Sequence, residues 1–442
     1  MAPRAGDERA DEPAASPHAA ALSRVTRRYA LLAGLLEFAI WLPLPVLVLH
    51  MTDRGLTLSD IGLAFALRAV LVVLLEVPTG GLADAVGRKA VALVSQVCTL
   101  LSFAFLLIVT GPATLIAYAV FQGVGAALHS GALDAWYVDR LKAIDRDVVL
   151  PGRLAAVQVA QAAAMLAGAT IGGVLPSLAS DWALPWPLAG FGVALLAGLA
   201  MRVVVLWLTV VMVDEPAFAG RLRLSEALTA PAIVFDGLRL ARRLTGMPYL
   251  LLATGAMGLS LIAVETFWQP IASLTFGADP ATSGVYGLLG FVLGAAGLLG
   301  SLVVMRYGDR VPGGPVVLAG ASHLLKAGAM LVLALVVGGG GVAVGLALAY
   351  FAIATQNIGH DTLLHEVVPD ERRSIMLSIN SLVFFLGIAV GSAVLGPLAT
   401  RTDPRIALAV ASAVTLVAAF AYLGVARAGT RAAPAVEPTP GA

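Results

Sequence analysis

The chain has 442 residues, of which 59% are hydrophobic and 12% charged, with a mean hydropathy of +0.91 and a formal net charge of +1. An ordinary soluble domain carries about 25% charged residues, so this chain cannot cover a folded core with polar surface, and lipid must be its solvent. The small net charge gives no sign of nucleic-acid binding, and the single cysteine, Cys98, excludes an intrachain disulfide.

The chain begins with a polar, Pro/Ala-rich stretch that has no short apolar core ending in a cleavage site. We predict a disordered tail over 1–27, with the first spanning helix acting as the targeting signal. A spanning helix needs about 20 mostly apolar residues, and barrel strands are far shorter than the apolar runs found here. Twelve runs predict spans at 28–50, 59–82, 90–111, 113–137, 153–178, 187–212, 248–275, 282–305, 315–337, 342–366, 373–398 and 405–427.

The longest polar interruption, 214–247, falls between the sixth and seventh runs. It is predicted to be a central loop between two halves of equal helix count, 28–213 and 248–428, with a tail at 429–442. Cations concentrate on alternate connections, and the side that carries few of them holds Arg54, Arg401 and Arg405. By the positive-inside rule, both termini and the central loop are expected in the cytoplasm.

The second and third runs are joined by GGLADAVGRK, from Gly80 to Lys89. This segment resembles the loop signature of the major facilitator superfamily, with Ala85 where the family usually has Arg. The resemblance implies an all-α integral membrane protein with twelve transmembrane helices in two pseudo-symmetric six-helix bundles. A degenerate second copy of this segment, GSLVVMRYGDR, follows the eighth run and has Val304 at the position that corresponds to Asp84. Repeated halves are typical of secondary transporters, whose substrate site lies near the midplane.

The charges of this loop predict a gate. Asp84 is expected close to the start of the eleventh helix, near 374–377, if the halves pack as the family's do. A helix N-terminus attracts a nearby anion by roughly 0.3–1 kcal/mol. Arg88, one turn beyond, is expected to reach Asp139 in WYVDRL. We predict a cytoplasmic latch between the halves, the alternative being a solvated turn that merely obeys the charge rule; it comprises Gly80, Asp84, Gly87, Arg88, Lys89 and Asp139.

Ionisable residues within the predicted spans indicate the substrate or proton pathway, because a charge at the bilayer centre costs at least ~2.5–3.5 kcal/mol. Glu37 and Arg68 both lie near mid-membrane by their distance from the helix ends. We predict that they pair, as a proton-responsive switch or as a fixed bridge, unless they face apart. Arg202 is expected to snorkel to the membrane surface.

In the second half, Glu265, Trp268 and Gln269 share one helix face. This combination suits an organic cation held partly by cation–π attraction, although a tryptophan near a membrane end is also typical of an interfacial anchor. Lys326 is nearly central in the ninth span, one turn after His323, and its partner is not readable from the sequence. Gln356 and Asn357 are predicted to line the cavity.

Helix packing and proton coupling have weaker signals. Gly168, Gly172 and Gly173 form a small-residue face that permits close approach of a neighbouring helix. In the fourth span Ala119 stands where the family has an arginine associated with proton coupling, which puts antiport by the usual route in doubt. The segment around Glu76, LLEVPTG, resembles that of drug-efflux branches of the superfamily.

No sequence motif indicates an enzyme: there is no Walker-type loop, no His-Glu-x-x-His and no Gly-x-Ser-x-Gly. A metal site in HDTLLHE is not expected, because His360 and His365 point apart on a helix, and no cofactor is predicted. We expect a monomeric, proton-linked antiporter in a bacterial inner membrane that exports amphiphilic drug-like molecules. The alternatives are transport of one metabolite or lipid, or a transporter-like sensor or assembly factor that moves nothing.

Overall fold

The structure is a computed structural model that describes residues 17–80, 82, 86–129, 131–215, 237–369 and 372–432. The described part is helical and contains no β-strand. Its α-helices are α1 (Pro17–Trp41), α2 (Leu47–Asp53), α3 (Leu58–Gly80), α4 (Arg88–Leu107), α5 (Pro112–His129), α6 (Ala132–Ile144), α7 (Pro151–Leu178), α8 (Gly192–Met212), α9 (Met247–Phe276), α10 (Gly284–Tyr307), α11 (Gly314–Leu335), α12 (Gly339–Val367), α13 (Arg373–Arg401), α14 (Pro404–Ala419) and α15 (Ala421–Ala432).

Within these residues, twelve spans are long and apolar enough to cross a membrane. This confirms the predicted number, with α1 and α2, α5 and α6, and α14 and α15 each forming one span. The helix ends differ from the prediction at the start of the chain: α1 begins at Pro17, so part of the predicted tail at 1–27 is helical. The first span is also broken after Trp41, where Pro43 and Pro45 interrupt the backbone hydrogen bonds.

The two halves repeat the same packing. In the first half, α1 packs on α7 and α8, α4 on α5 and α8, and α3 on α5. In the second half, the corresponding helices make the corresponding contacts: α9 packs on α13 and α14, α11 on α12 and α14, and α10 on α12. The chain therefore forms two pseudo-symmetric bundles, as the loop signature implied.

Two helix pairs join the bundles, α3 with α13 and α7 with α10. Glycine permits both approaches. A Cβ atom built on Gly62 of α3 lies 2.6 Å from the carbonyl oxygen of Ser392, and one on Gly173 of α7 lies 2.3 Å from the backbone nitrogen of Gly287. Neither distance leaves room for a side chain, so small residues set the inter-bundle spacing.

The small-residue face of α7 serves two neighbours. Cβ atoms built on Gly168 and Gly172 meet the carbonyl oxygens of Phe38 and Leu42, in the first span of the same bundle, at 2.9 and 1.6 Å. Gly173 alone of the three contacts the other bundle. One face thus packs both within the first half and between the halves.

The ends of the bundles that hold Pro17, Glu215 and Arg372 are called the terminal face here, and the other ends the opposite face. At the opposite face the bundles touch: the Ser59 N–H donates to Thr400 Oγ1 at 2.7 Å. Contacts of α7 with α10 also lie in the half of each helix nearer the opposite face. The bundles are therefore closed at this end.

Toward the terminal face the bundles separate. The first half of α7 exposes side chains around most of its circumference, including Leu154, Gln158 and the 70%-exposed Val159. On α12, Asn357, Asp361 and His365 are exposed at four-residue spacing and so share one face. A polar face on a spanning helix needs water beside it, so a cleft between the bundles opens toward the terminal face.

Candidate functional site

The turn before α4 is held by ionic contacts within the first bundle. Arg88 Nη1 lies 2.5 Å from Asp139 Oδ2 on α6. The backbone N–H groups of Arg88 and Lys89 donate to the two carboxylate oxygens of Glu215 at 2.9 and 2.8 Å. Glu215 therefore caps the N-terminus of α4, where an anion is favoured by the helix dipole. Lys89 Nζ also donates to the carbonyl oxygen of Val210 at 2.8 Å.

Gly87 lets the chain turn into α4. Its φ of +102° is one that residues with a side chain rarely adopt, and an added Cβ would lie 3.0 Å from Glu215 Oε2. Gly80 ends α3 on the other side of the turn. Asp84 lies outside the described residues, so the proposed contact with the start of α13 stays a prediction. The Arg88–Asp139 pair forms inside one bundle and has an exposed carboxylate, which limits it to ~0–1 kcal/mol.

A cavity of about 210 Å³ lies between the bundles, below the closed opposite face. Five helices of the first bundle (α1, α3, α4, α5 and α8) and α9 of the second supply its charged, amide and aromatic side chains. It brings together four of the residues predicted for the pathway, Arg68, Glu265, Trp268 and Gln269, with others that the prediction did not include. The lining groups of interest are Trp41, Phe65, Arg68, Phe103, Tyr118, Gln122, Arg202, Glu265, Trp268 and Gln269.

The predicted Glu37–Arg68 pair is wrong. The field of Arg68 acts on Glu265, across the cavity and in the other bundle, while Glu37 interacts with Arg202 and Trp41 in its own bundle. Depth along two helices placed Glu37 and Arg68 at similar levels, but their faces are set by the rotation of each helix. Both side chains line the cavity, and their charged atoms are more than 4 Å apart.

Arg202 does not extend to the membrane surface, so the prediction that it snorkels is wrong. It is 7% exposed on α8, with its guanidinium 4.4 Å from the centroid of the Phe103 ring. A cation over an aromatic face gains up to ~2 kcal/mol when desolvated, and Glu37 adds a compensating charge. The Nε atoms of Arg68 and Arg202 have no hydrogen-bond partner among the described residues, so both guanidinium groups keep capacity to bind a ligand.

Trp268 is 3% exposed and packs at a tilted angle against Tyr286. The interfacial-anchor interpretation is therefore wrong for it. Gln269 does not act as the ligand-binding amide that was predicted for a cation site. Its Nε2 donates to the carbonyl oxygen of Leu44 at 2.8 Å, and its Oε1 accepts from the N–H of Val48 at 2.9 Å. These backbone groups belong to the break in the first span, so a side chain of the second bundle completes the hydrogen bonding of the first.

We expect Gln269→Leu to lower the melting temperature of the purified protein, because it leaves the backbone groups of Leu44 and Val48 without their partner. Each buried unsatisfied group costs about 1–3 kcal/mol. The matched control is Gln158→Leu, which makes the same change at an exposed position of α7. Equal melting temperatures for the two variants would show that Gln269 does not hold the break closed.

Lys326 lies inside the second bundle, away from the central cavity. It is 2% exposed, and it makes no hydrogen bond or ion pair with a described residue. Two histidines, His323 and His360, lie within its electrostatic reach. His360 in turn contacts Tyr422 Oη at 3.0 Å and Thr254 Oγ1 at 3.0 Å. A buried cation beside two imidazoles forms a second titratable cluster, which the sequence showed only as Lys326 and His323.

Gln356 and Asn357, which are neighbours on α12, lie in two different environments. Gln356 is fully buried and bonds His323 Nδ1 through its Nε2 atom, so it belongs to the Lys326 cluster rather than to the cavity. Asn357 is exposed on the polar face of the cleft. Neither residue lines the central cavity, so the prediction that both do is wrong for this cavity. Among the described residues no three His, Cys, Asp or Glu side chains lie together as metal ligands would.

Several site residues were missed from the sequence. Glu215 gave a weak signal, as an acidic residue at the start of the central loop. Trp41 and Tyr118 gave none, since an aromatic side chain in a span is usually core. Gln122 was not among the predicted site residues; its Oε1 accepts from Ser102 Oγ at 2.7 Å.

Residues 29–359 match the sequence profile of the Major Facilitator Superfamily. Among solved structures, the nucleoside transporter NupG is similar, with a TM-score of 0.70 and 15% identity over 91% of this chain and 98% of that chain. The peptide transporter POT in complex with sulfate has a TM-score of 0.70 and 14% identity over 92% and 95% of the two chains. A bacterial homologue of the human lysosomal transporter Spinster, inward-facing and unoccupied, has a TM-score of 0.69 and 14% identity over 96% and 100%. No curated protein matches by sequence.

Proposed function

The chain belongs to the major facilitator superfamily, and we propose that it is a proton-linked antiporter that exports amphiphilic small molecules of drug-like chemistry. Its fold is that of a secondary transporter, and it is a multi-pass membrane protein. The positive-inside distribution supports placing the terminal face in the cytoplasm of a bacterial cell, across its inner membrane. The cleft is then open inward, and the working unit is a monomer.

One observation carries the proposal: Arg68 and Glu265 face each other across a cavity that lies between the bundles. A charge pair that spans the two moving parts changes its energy when they move. Protonation of Glu265 removes the attraction to Arg68, so proton binding and bundle position are thermodynamically linked. This role also supplies a coupling group in place of the arginine that Ala119 replaces.

The composition of the cavity supports an amphiphilic substrate. Trp41, Phe103 and Trp268 provide aromatic surface, while Arg68 and Glu265 provide one charge of each sign. Apolar walls with a few convergent polar groups are typical of small-molecule sites. A substrate with a flat apolar body and a polar or charged end meets both kinds of surface.

Cavity size favours a second candidate, transport of one small metabolite. At about 210 Å³ the cavity is smaller than the ~300–1,000 Å³ usual for drug-sized ligands. A drug-like substrate therefore requires the cavity to widen, whereas a small polar metabolite fits without such a change.

The test uses the purified full-length protein in liposomes with an imposed pH gradient of two units. The probes are ethidium, a nucleoside and a dipeptide. Proton-coupled exchange of a single charge allows accumulation of up to about 100-fold at this gradient, since each pH unit is a tenfold proton ratio. Accumulation of ethidium that a protonophore abolishes supports the first candidate. Gradient-driven flux of a metabolite alone supports the second. Binding without flux for every probe would contradict transport and favour a sensor or assembly factor.

A further inference from the structure

Two cavities lie one above the other on the outer side of the second bundle. The first, called the basic cavity, has a volume of about 770 Å³ and is lined by Arg242, Arg243, Tyr249 and Arg427, among others. All three arginines are exposed, and no described residue that lines this cavity is acidic. Guanidinium groups converging on one space favour a phosphate or a similar anion.

The second cavity, called the apolar groove, has a volume of about 650 Å³ between α9, α13 and α14. Every lining residue is apolar, from Leu252 and Gly255 on α9 to Val417 on α14. Several of them are exposed, with Leu252 at 61% and Val417 at 69%. An open, wholly apolar channel along spanning helices suits a hydrocarbon chain rather than a polar solute.

The two cavities form one path because they use the same faces of two helices. On α9, Tyr249 of the basic cavity is three residues before Leu252 of the apolar groove. At the C-terminal end of α14, Phe420 of the basic cavity is three residues after Val417 of the groove. From Arg427 to Val414 the path covers 13 residues, or about 20 Å at 1.5 Å per residue. One leaflet has a hydrocarbon depth of about 15 Å, half of the ~30 Å core, so the path fits a headgroup and one acyl chain.

We propose that this path is a binding site for an anionic phospholipid. The headgroup phosphate lies among Arg242, Arg243 and Arg427 at the terminal face, and an acyl chain occupies the apolar groove. Charge complementarity selects the headgroup, and the groove selects a membrane lipid over a free anion. The site is separate from the central cavity and does not depend on the transport function proposed above.

The experiment measures lipid retention by native mass spectrometry after release of the full-length protein from nanodiscs of equal phosphatidylglycerol and phosphatidylcholine. The wild type is expected to retain phosphatidylglycerol preferentially. Each arginine near a membrane contributes about fivefold, so Arg242→Gln/Arg243→Gln/Arg427→Gln should reduce the preference on the order of 100-fold. The matched control, Arg140→Gln/Lys142→Gln/Arg146→Gln, removes three exposed cations elsewhere on the terminal face and should keep the preference.

A second variant tests the groove. A Cβ on Gly255 meets only Val383 Cγ1, at an ordinary 3.7 Å, so Gly255→Leu fills the groove without a backbone clash. It should lower retention of phosphatidylglycerol at least about tenfold, as expected from losing the buried part of one chain. Gly328→Leu, in open space on α11, is the control for the same change. Monodisperse size-exclusion profiles for all variants show that they fold.

Inorganic phosphate distinguishes a lipid from a free anion. Added phosphate should leave the retained phosphatidylglycerol in place, because the ion has no chain to bind the groove. Displacement by phosphate together with normal retention by Gly255→Leu would overturn the proposal and leave an anion pocket. Equal retention of the two lipids by the wild type would overturn it as well.

Discussion

Glu265→Gln should abolish gradient-driven transport while leaving substrate exchange measurable. The amide is neutral at every pH, so the bundles no longer respond to protonation at this position, and Arg68 loses its partner across the cavity. Arg68 and Glu265 interact without direct contact, so the relevant magnitude is a coupling free energy between two sites, which is typically about 1–3 kcal/mol. Since 1.4 kcal/mol is a factor of ten, we expect uphill flux to fall by about tenfold or more.

The measurement compares accumulation under a pH gradient with counterflow of labelled substrate at equal pH. Glu366→Gln is the matched control, since Glu366 is exposed at the end of α12, and it should transport as the wild type does. If Glu265→Gln accumulates substrate normally, proton coupling does not pass through this carboxylate. The Lys326 cluster would then be the next group to change.

Gly173→Leu should force the bundles apart at the opposite face. A Cβ at this position lies 2.3 Å from the Gly287 nitrogen, and backbone cannot yield as a flexible side chain does. Overpacking of this kind costs typically 1–3 kcal/mol, which at its upper end shifts the ratio of closed to open states about 100-fold. The open state is thereby favoured, and transport, which needs both states, is lost.

Spin labels at Asp181→Cys and Ala278→Cys, in a Cys98→Ser background, report the separation at this end by pulsed electron resonance. Both positions are exposed in the loops that adjoin α7 and α10. The label distance should increase in Gly173→Leu. Gly328→Leu has nothing within 4 Å of its added Cβ and should give the wild-type distance. An unchanged distance in Gly173→Leu would mean that the α7–α10 approach does not control closure.

The number of spans could be predicted from the sequence because it depends on the lengths of consecutive apolar runs. A bilayer imposes about 20 apolar residues on each span, and this length shows in composition alone. The glycines of α7 were likewise readable, because a residue without a side chain has few other uses in a span. The break after Trp41 was not placed, since Pro43 lies in a run that is long and apolar enough for an unbroken helix.

The partners of the intramembrane charges were less predictable. Depth follows from counting residues, but the face that a side chain presents depends on how each helix is rotated in the bundle. Glu37 thus interacts with Arg202 rather than with Arg68. Gln269 is a stronger case, because its partners are backbone groups of a distant span. No property of Gln269 or its neighbours in the chain specifies them.

The two inter-bundle helix pairs differ in extent. Along α3 and α13, contacts run from Ser59 near one end to Glu76 near the other, where Ser381 Oγ donates to Glu76 Oε1 at 2.7 Å. Along α7 and α10 the glycine contacts between the two helices lie in the halves nearer the opposite face. The two bundles therefore stay in contact along α3 and α13 and separate on the side formed by α7 and α10. We expect that a solute dissolved in the surrounding leaflet can reach the cleft from this flank.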